Sequence, residues 1–137
     1  MKSLGSIILA AGDGKRLRSN FPKALHRICG RPMIEHILRT IDGLVDYKQA
    51  VVVGFAHDMV KEALVDFHVE FALQEKRQGT GHAVMMTKDL FVDFDGDILI
   101  LVGDAPLLSR GTIEKLIERH RHQDASATVL TTRMKKP

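Results

Sequence analysis

Five short runs of apolar residues alternate along this chain with segments in which apolar residues recur at helical spacing. The runs carry Ile, Val and Leu at consecutive positions, which is typical of strands covered on both faces, as in a parallel sheet. The predicted strands are Ser6–Ala11, Ala50–Gly54, Val69–Gln74, Asp97–Gly103 and Ser126–Thr132. Strands that alternate with helices predict an α/β fold of Rossmann-like type, with a mostly parallel sheet, helices on both faces and right-handed crossovers.

The segments between the runs predict amphipathic helices. Pro32 precedes the first of them and suits the first turn of a helix, and Ser109 is a candidate N-cap for the last. Residues 79–88 form a further candidate. The apolar positions at helical spacing are Met33, Ile34, Ile37, Leu38 and Ile41 in the first helix, Met59, Val60, Ala63 and Leu64 in the second, and Ile113, Leu116 and Ile117 in the last.

Composition narrows the class of protein. A chain of 137 residues has the size of one domain. Its net charge of +3 suits a polyanionic small molecule, and an aromatic content of 5% offers little stacking surface, so we expect no nucleic-acid partner. A lone cysteine, Cys29, favours a reducing compartment, and no apolar run approaches the roughly 20 residues that span a bilayer. We therefore expect a cytoplasmic protein with no membrane contact.

The stretch LAAGDGKRLRSNFPKALH, residues 9–26, follows the first predicted strand. Gly12 and Gly14 would let backbone N–H groups approach a ligand closely, and nearby cations could neutralise phosphate charges. It is neither a dinucleotide fingerprint nor a Walker A loop. The alternative is a strand-to-helix turn with solvated cations. The four cations are Lys15, Arg16, Arg18 and Lys23.

Two further stretches place polar groups where strands end. In QEKRQGTGHAV, residues 74–84, Gln74 offers donors and an acceptor that suit a uracil-like base, although a Gly-Thr-Gly helix start is also common in loops. In ILILVGDAPLL, residues 98–108, Asp104 could hold Mg²⁺, or could simply cap a turn. Since the carboxyl ends of parallel strands meet at one edge, we expect the loop, Gln74 and Asp104 to form one site.

Taken together, these stretches resemble the sugar nucleotidyltransferases, whose loop has the pattern L-A-A-G-x-G-x-R followed by P-K. PKALHRICGRPMIEH, VVVGFAHDMVKEAL, QGTGHAV and LVGDAPLL are similar, in order and spacing, to the uridyltransferase domain of the bacterial N-acetylglucosamine-1-phosphate uridyltransferases. The resemblance implies that residues 1–137 are the N-terminal, nucleotide-binding portion of such a domain, truncated relative to it. The acetyltransferase β-helix of those bifunctional enzymes is not expected here.

The resemblance also implies roles for individual residues. Arg16 and Lys23 match the catalytic cations at the phosphates, and Asp104 matches the Mg²⁺ ligand. The remaining matched positions bind ligand. The nucleotide-binding set is Leu9, Ala10, Ala11, Gly12, Gly14, Lys23, Gln74, Gly79 and Thr80, of which Gln74, Gly79 and Thr80 match positions that recognise uracil. The sugar-nucleotide set is Val102, Gly103 and Asp104, although Val102 stands where some members have Tyr.

The activity that this family implies is Mg²⁺-dependent transfer of a uridylyl group from UTP to N-acetylglucosamine 1-phosphate. The products are UDP-N-acetylglucosamine, a precursor for peptidoglycan, and pyrophosphate. Full-length family members are expected to be trimers. Two alternatives stay open: a cytidylyl- or guanylyltransferase, or a nucleotide-binding fragment without turnover.

Overall fold

A computed structural model describes residues 1–12 and 21–135 of the chain. The chain divides into two compact units, Met1–Leu107 and Leu108–Pro137. The elements of the first unit are β1 (Leu4–Leu9), β2 (Arg27–Ile28), β3 (Arg31–Pro32), α1 (Met33–Thr40), β4 (Gln49–Val53), α2 (His57–Ala63), β5 (Glu70–Leu73), α3 (Thr80–Met85) and β6 (Asp97–Val102). The second unit contains α4 (Arg110–His122).

Four strands form one sheet in the order β5-β4-β1-β6, and every neighbouring pair is parallel. The chain moves outward from β1 through β4 to β5, and then returns to the far side of β1 as β6. Because crossovers between parallel strands are almost always right-handed, we expect the helices of these two directions to lie on opposite faces of the sheet. The reversal of strand order lies between β1 and β6, where ligands of open α/β sheets are usually found. The predicted α/β fold is confirmed.

The core of the first unit lies on both faces of β1 and β4. Successive residues of a strand point to opposite faces, so the burial of both Ile7 and Ile8 means that each face of β1 is covered. On one face, Ile7 and Val52 belong to a buried cluster that includes Ala83 of α3. The apolar residues that are consecutive in β1 and β4 are therefore buried on both faces, as in the central strands of a parallel sheet.

Strand β6 is buried on one face only. Leu99 and Leu101 are buried, whereas the alternate residues Ile98, Ile100 and Val102 are 41%, 48% and 45% exposed. The continuous apolar run predicted a strand covered on both faces, and this part of the expectation is wrong for β6. β6 lies at the end of the four-stranded sheet, where it pairs with β1.

Helices form in all the segments that predicted them. α1 begins directly after Pro32, and its buried face contains Ile34, Ile37 and Leu38. α2 buries Val60 but leaves Met59 exposed. The candidate helix over 79–88 is shorter than predicted, because α3 ends at Met85 and a 3-10 turn follows at Lys88–Phe91.

In the second unit, Ser109 caps α4 as predicted, since its hydroxyl accepts a hydrogen bond from the Thr112 N–H at 3.2 Å. The predicted fifth strand, Ser126–Thr132, is wrong, because these residues contain no strand. A strand needs a neighbour that pairs its backbone groups, and α4 is the only regular element described in this unit. Val129 is 78% exposed accordingly. None of the helices described in either unit has the length and apolar character needed to cross a membrane.

Candidate active site

The carboxyl edge of the sheet is held together by backbone hydrogen bonds just beyond the strand ends. The N–H groups of Ala10, Gln74 and Gly103 donate to the carbonyls of Val52, Val53 and Leu9, each at 2.8 Å. The pairing of the sheet therefore continues by one residue into the loops. Because these residues are anchored to neighbouring strands, their positions at the edge are fixed by the sheet rather than by the loops that follow.

One cavity of about 310 Å³ opens at this edge. Thirteen residues are candidates for the site on the sequence motifs and the family resemblance, and all eleven that the structure describes line the cavity. They are Leu9, Ala10, Ala11, Gly12, Lys23, Gln74, Gly79, Thr80, Val102, Gly103 and Asp104. Gly12 and Lys23, which flank the undescribed part of the opening loop, thus share this edge with Gln74 and Asp104. The other two candidates, Gly14 and Arg16, lie outside the described residues, as do Lys15 and Arg18.

Lys23 and Asp104, which both line the cavity, form an ion pair. The Lys23 Nζ lies 2.5 Å from the Asp104 Oδ2. Lys23 begins a 3-10 turn, Lys23–Leu25, whose next two residues are buried, and Asp104 follows Gly103 at the end of β6. Both side chains are only partly covered, with exposures of 40% and 39%. An ion pair this exposed adds little to stability, so both groups can exchange partners when a charged ligand arrives.

Gln74 provides a polar group of a different kind. The residue is 3% exposed. Its amide nitrogen lies 3.3 Å from the Gly79 carbonyl oxygen and 2.9 Å from the His82 Nδ1. A buried amide with fixed partners has a fixed orientation. It therefore presents either its donor or its acceptor to a ligand in the cavity, and not both in turn.

Two glycines shape the cavity. Gly79 has a φ of +98°, a backbone conformation that residues with a side chain rarely adopt, and it starts α3 as its N-cap. At Gly103, an added Cβ would lie 2.8 Å from the backbone oxygen of Leu9. The end of β6 can therefore approach β1 this closely only because residue 103 has no side chain.

The cavity offers one carboxylate to a metal ion. Asp104 is the only acidic residue among its described lining residues. In residues 1–12 and 21–135, no three His, Cys, Asp or Glu side chains are grouped so that they could hold a metal ion. Mg²⁺ commonly takes one or two protein carboxylates and completes its octahedron with phosphate oxygens and water. The donor set therefore fits a cation brought in with a phosphorylated ligand.

Four residues at this edge were missed by sequence reasoning. Ala24, Arg77 and Ala83 line the cavity, and His82 contacts Gln74. Arg77 could have been found, because it is a cation four residues from the end of β5. The role of His82 depends on how the turn at Gly79 folds α3 back onto Gln74, which spacing alone does not reveal.

A second cavity of about 290 Å³ lies at the opposite edge of the sheet. It contains none of the candidate residues, and its lining is Leu38, Arg39, Asp42, Gln49, Asp66, Phe67, His68 and Val69. These come from the end of α1 and the amino ends of β4 and β5. Ligands of open α/β sheets bind at the carboxyl ends, so the first cavity is the better candidate.

Comparison with known proteins bears directly on this site. The model of the MobA-like NTP transferase domain matches residues 6–137. The chain belongs to this family. The loops that line the first cavity all fall within the matched region, which agrees with the nucleotidyltransferase resemblance of the sequence motifs.

The curated relatives of this chain include a more specific group of proteins than the domain family. A bifunctional protein GlmU from Desulfotalea psychrophila is 41% identical over 134 residues, which are 98% of this chain and 40% of that protein. A second, from Limosilactobacillus reuteri, is 44% identical over 132 residues, or 96% of this chain and 29% of that protein. The chain thus spans well under half the length of these relatives.

Solved structures share the fold at lower identity. A nucleotidyl transferase from Methanothermobacter superposes with a TM-score of 0.67 at 24% identity, over 85% of this chain and 57% of that one. A 4-diphosphocytidyl-2C-methyl-D-erythritol synthase from Anaerococcus prevotii has a TM-score of 0.62 at 21% identity, over 88% and 51%. These similarities are evidence for the shared fold.

Proposed function

We propose that this chain binds UTP in the first cavity and serves the transfer of its uridylyl group to N-acetylglucosamine 1-phosphate. The observation that carries the proposal is the convergence of a buried amide, Gln74, and an exposed charged pair, Lys23 and Asp104, on one cavity. A nucleotide has the same two parts, a neutral base edge and a charged triphosphate. The uridine nucleotide and the amino-sugar phosphate are taken from the resemblance of the motifs to the N-acetylglucosamine-1-phosphate uridyltransferases, and the matched NTP transferase domain supports nucleotidyl transfer.

The two parts of the cavity can be named by the part of the nucleotide that they would hold. The base end consists of Gln74, Gly79 and Thr80, and the phosphate end consists of Lys23, Gly103 and Asp104. Gly12 follows β1. In the sheet, β1 lies between β5, which leads to Gln74, and β6, which leads to Asp104. Uracil would lie against the Gln74 amide, with the triphosphate extending toward Lys23.

The reaction is a displacement at the α-phosphorus of UTP. A phosphate oxygen of the sugar phosphate forms a new bond to this atom, and the bond to the β-phosphate bridging oxygen breaks, which releases pyrophosphate. Negative charge is spread over the phosphoryl oxygens in the transition state, so positioning and cations supply most of the acceleration. Lys23 supplies one such cation, and Arg16 is proposed as a second on the sequence resemblance.

Asp104 would hold Mg²⁺ at the phosphate end. When bound, Mg²⁺ supplies positive charge that neutralises the triphosphate. The Lys23 ammonium now pairs with the Asp104 carboxylate, and each would instead face an opposite charge in the complex: Lys23 a phosphate, and Asp104 the metal ion. The exposed cysteine, Cys29, agrees with a reducing, cytoplasmic setting.

Pyrophosphate release tests the proposal. We expect release with UTP, Mg²⁺ and N-acetylglucosamine 1-phosphate, and less with CTP, GTP or other sugar 1-phosphates. UTP binding without any release would support the binding fragment in place of the enzyme. Release that favours CTP or GTP would contradict the uridylyl assignment.

A further inference from the structure

The hydrogen bonds around Gln74 determine which atom of its amide is left for a ligand. A backbone carbonyl can only accept, so the amide atom 3.3 Å from the Gly79 oxygen is the nitrogen. The same nitrogen lies 2.9 Å from the His82 Nδ1. Because this nitrogen can only donate, Nδ1 must accept, and the neutral imidazole carries its proton on Nε2.

These two bonds use both hydrogens of the amide nitrogen and leave its oxygen for a ligand. The Gln74 oxygen has no partner among the residues that the structure describes. Gln74 itself lines the cavity, whereas His82 is not among the described lining residues. His82 therefore acts on the cavity only through the amide that it contacts.

We propose that His82 is a positioning residue that keeps the Gln74 amide oxygen directed toward the cavity, so that the base end accepts a hydrogen bond. This inference rests on the proposed function and deepens it. Uracil carries a donor, N3–H, at the edge where cytosine carries an unprotonated, accepting N3. An amide oxygen pairs with the first and opposes the second, so the His82 contact selects uracil over cytosine.

His82 is the stronger of the two restraints on the amide. Its bond is shorter than the bond to Gly79, which lies in an exposed loop. His82 belongs to α3, and the next residue, Ala83, is buried in the core cluster with Val52. Without the imidazole, one amide hydrogen would lose its acceptor, and rotation of the amide by 180° would turn its nitrogen toward the ligand.

Two substitutions separate this role from simple packing. His82→Leu removes the acceptor, whereas His82→Asn keeps one, because the Asn Oδ1 and the His Nδ1 are both bonded to Cγ. Met85→Leu serves as the control, since Met85 lies in the same helix and is 66% exposed. The dissociation constants of UTP and CTP are measured by calorimetry on the 137-residue chain, with circular dichroism to verify folding.

We expect the wild-type chain to prefer UTP and His82→Leu to lower the UTP-to-CTP affinity ratio by about tenfold, as for one mispaired hydrogen bond. His82→Asn and Met85→Leu should leave the UTP-to-CTP affinity ratio within about threefold of the wild-type value. A change of that size is smaller than the change expected from the loss of one hydrogen bond. An unchanged ratio in His82→Leu, or an equal loss for both nucleotides, would overturn the role of His82 and leave the proposed function standing. A wild-type chain that binds neither nucleotide would overturn both.

The imidazole tautomer provides a test that needs no variant. Long-range ¹H–¹⁵N spectra of the wild-type chain should show His82 with its proton on Nε2 and an unprotonated Nδ1. A proton on Nδ1 would overturn the inference even if His82→Leu fails to fold.

Discussion

The base end and the phosphate end of the cavity hold their polar groups in opposite ways. At the base end, Gln74 is 3% exposed and its amide nitrogen has two partners within the protein. At the phosphate end, Lys23 and Asp104 are 40% and 39% exposed and are paired with each other. A buried amide has one orientation, and an exposed charge can change partners.

This difference separates two properties of a binding site. A fixed neutral group discriminates between ligands by donor and acceptor pattern, because a mismatched ligand leaves a polar group unpaired. Exposed charges attract any polyphosphate, and their effect is screened by salt. We therefore expect the base end to control which nucleotide binds, and the phosphate end to control how tightly any nucleotide binds and whether it reacts.

The largest effect is expected for Asp104→Asn, which keeps the shape of the side chain and removes its charge. Loss of a bound Mg²⁺ should lower pyrophosphate release by about 100-fold or more, since a metal ion contributes several kcal/mol at a phosphoryl centre. Mg²⁺ should also cease to tighten UTP binding. Both are measured against Mg²⁺ concentration, with Asp89→Asn, an exposed site in the 3-10 turn, as the control. A Mg²⁺ response that survives would make Asp104 a turn residue.

Lys23→Ala should weaken UTP and CTP binding equally, by about 10- to 100-fold, because a hydrogen bond to a charged group contributes about 1.5–3 kcal/mol. The substitution should also flatten the dependence of affinity on salt. Calorimetry at low and high NaCl gives both quantities, and the exposed Lys88→Ala is the matched control. If Lys23→Ala instead changed the UTP-to-CTP ratio, the proposed separation between the two ends would be wrong.

Gln74→Leu should show the converse pattern. It removes the amide, so we expect the UTP-to-CTP affinity ratio to fall by about tenfold. The salt dependence should stay as in the wild type, because the phosphate end is intact. Gln78→Leu changes an exposed Gln four residues away and should leave the ratio unchanged. Retention of the ratio in Gln74→Leu would remove Gln74 from base recognition.

The smallest effect concerns stability. Lys23→Ala and Asp104→Asn should each change the free energy of unfolding by no more than about 1 kcal/mol, because the ion pair that they break is exposed. Urea denaturation measures this difference. A loss of several kcal/mol in either variant would mean that the pair holds the fold together, and that its binding effects are indirect.

The sequence predicted the parts of the fold that depend on local pattern. Continuous apolar runs identified β1, β4, β5 and β6, and the carboxyl-edge argument brought Gln74 and Asp104 to one cavity. Local pattern was insufficient where strand formation or burial depends on a neighbouring element of the fold. Residues 126–132 have the composition of a strand but pair with no strand among the described residues of their unit, and β6 is apolar on a face that is exposed.

The candidate site shows the same division. Most of its lining residues follow from motifs and strand ends, because each of these is a feature of a short stretch of chain; Ala24, Arg77 and Ala83 are the exceptions among the described lining residues. The contact between Gln74 and His82 depends on the positive φ of Gly79 and on the packing of α3, which are properties of the folded unit. Specific side-chain contacts of this kind could not be predicted from spacing.

A crystal structure of the chain with UTP and Mg²⁺ would test most directly whether the two ends divide the nucleotide between them. We predict that uracil lies against the Gln74 amide oxygen, with its N3–H as donor, and that the triphosphate lies beside Lys23 with Mg²⁺ on Asp104. UTP bound in the opposite orientation, with its base beside Lys23, or bound away from this cavity, would contradict the proposed division.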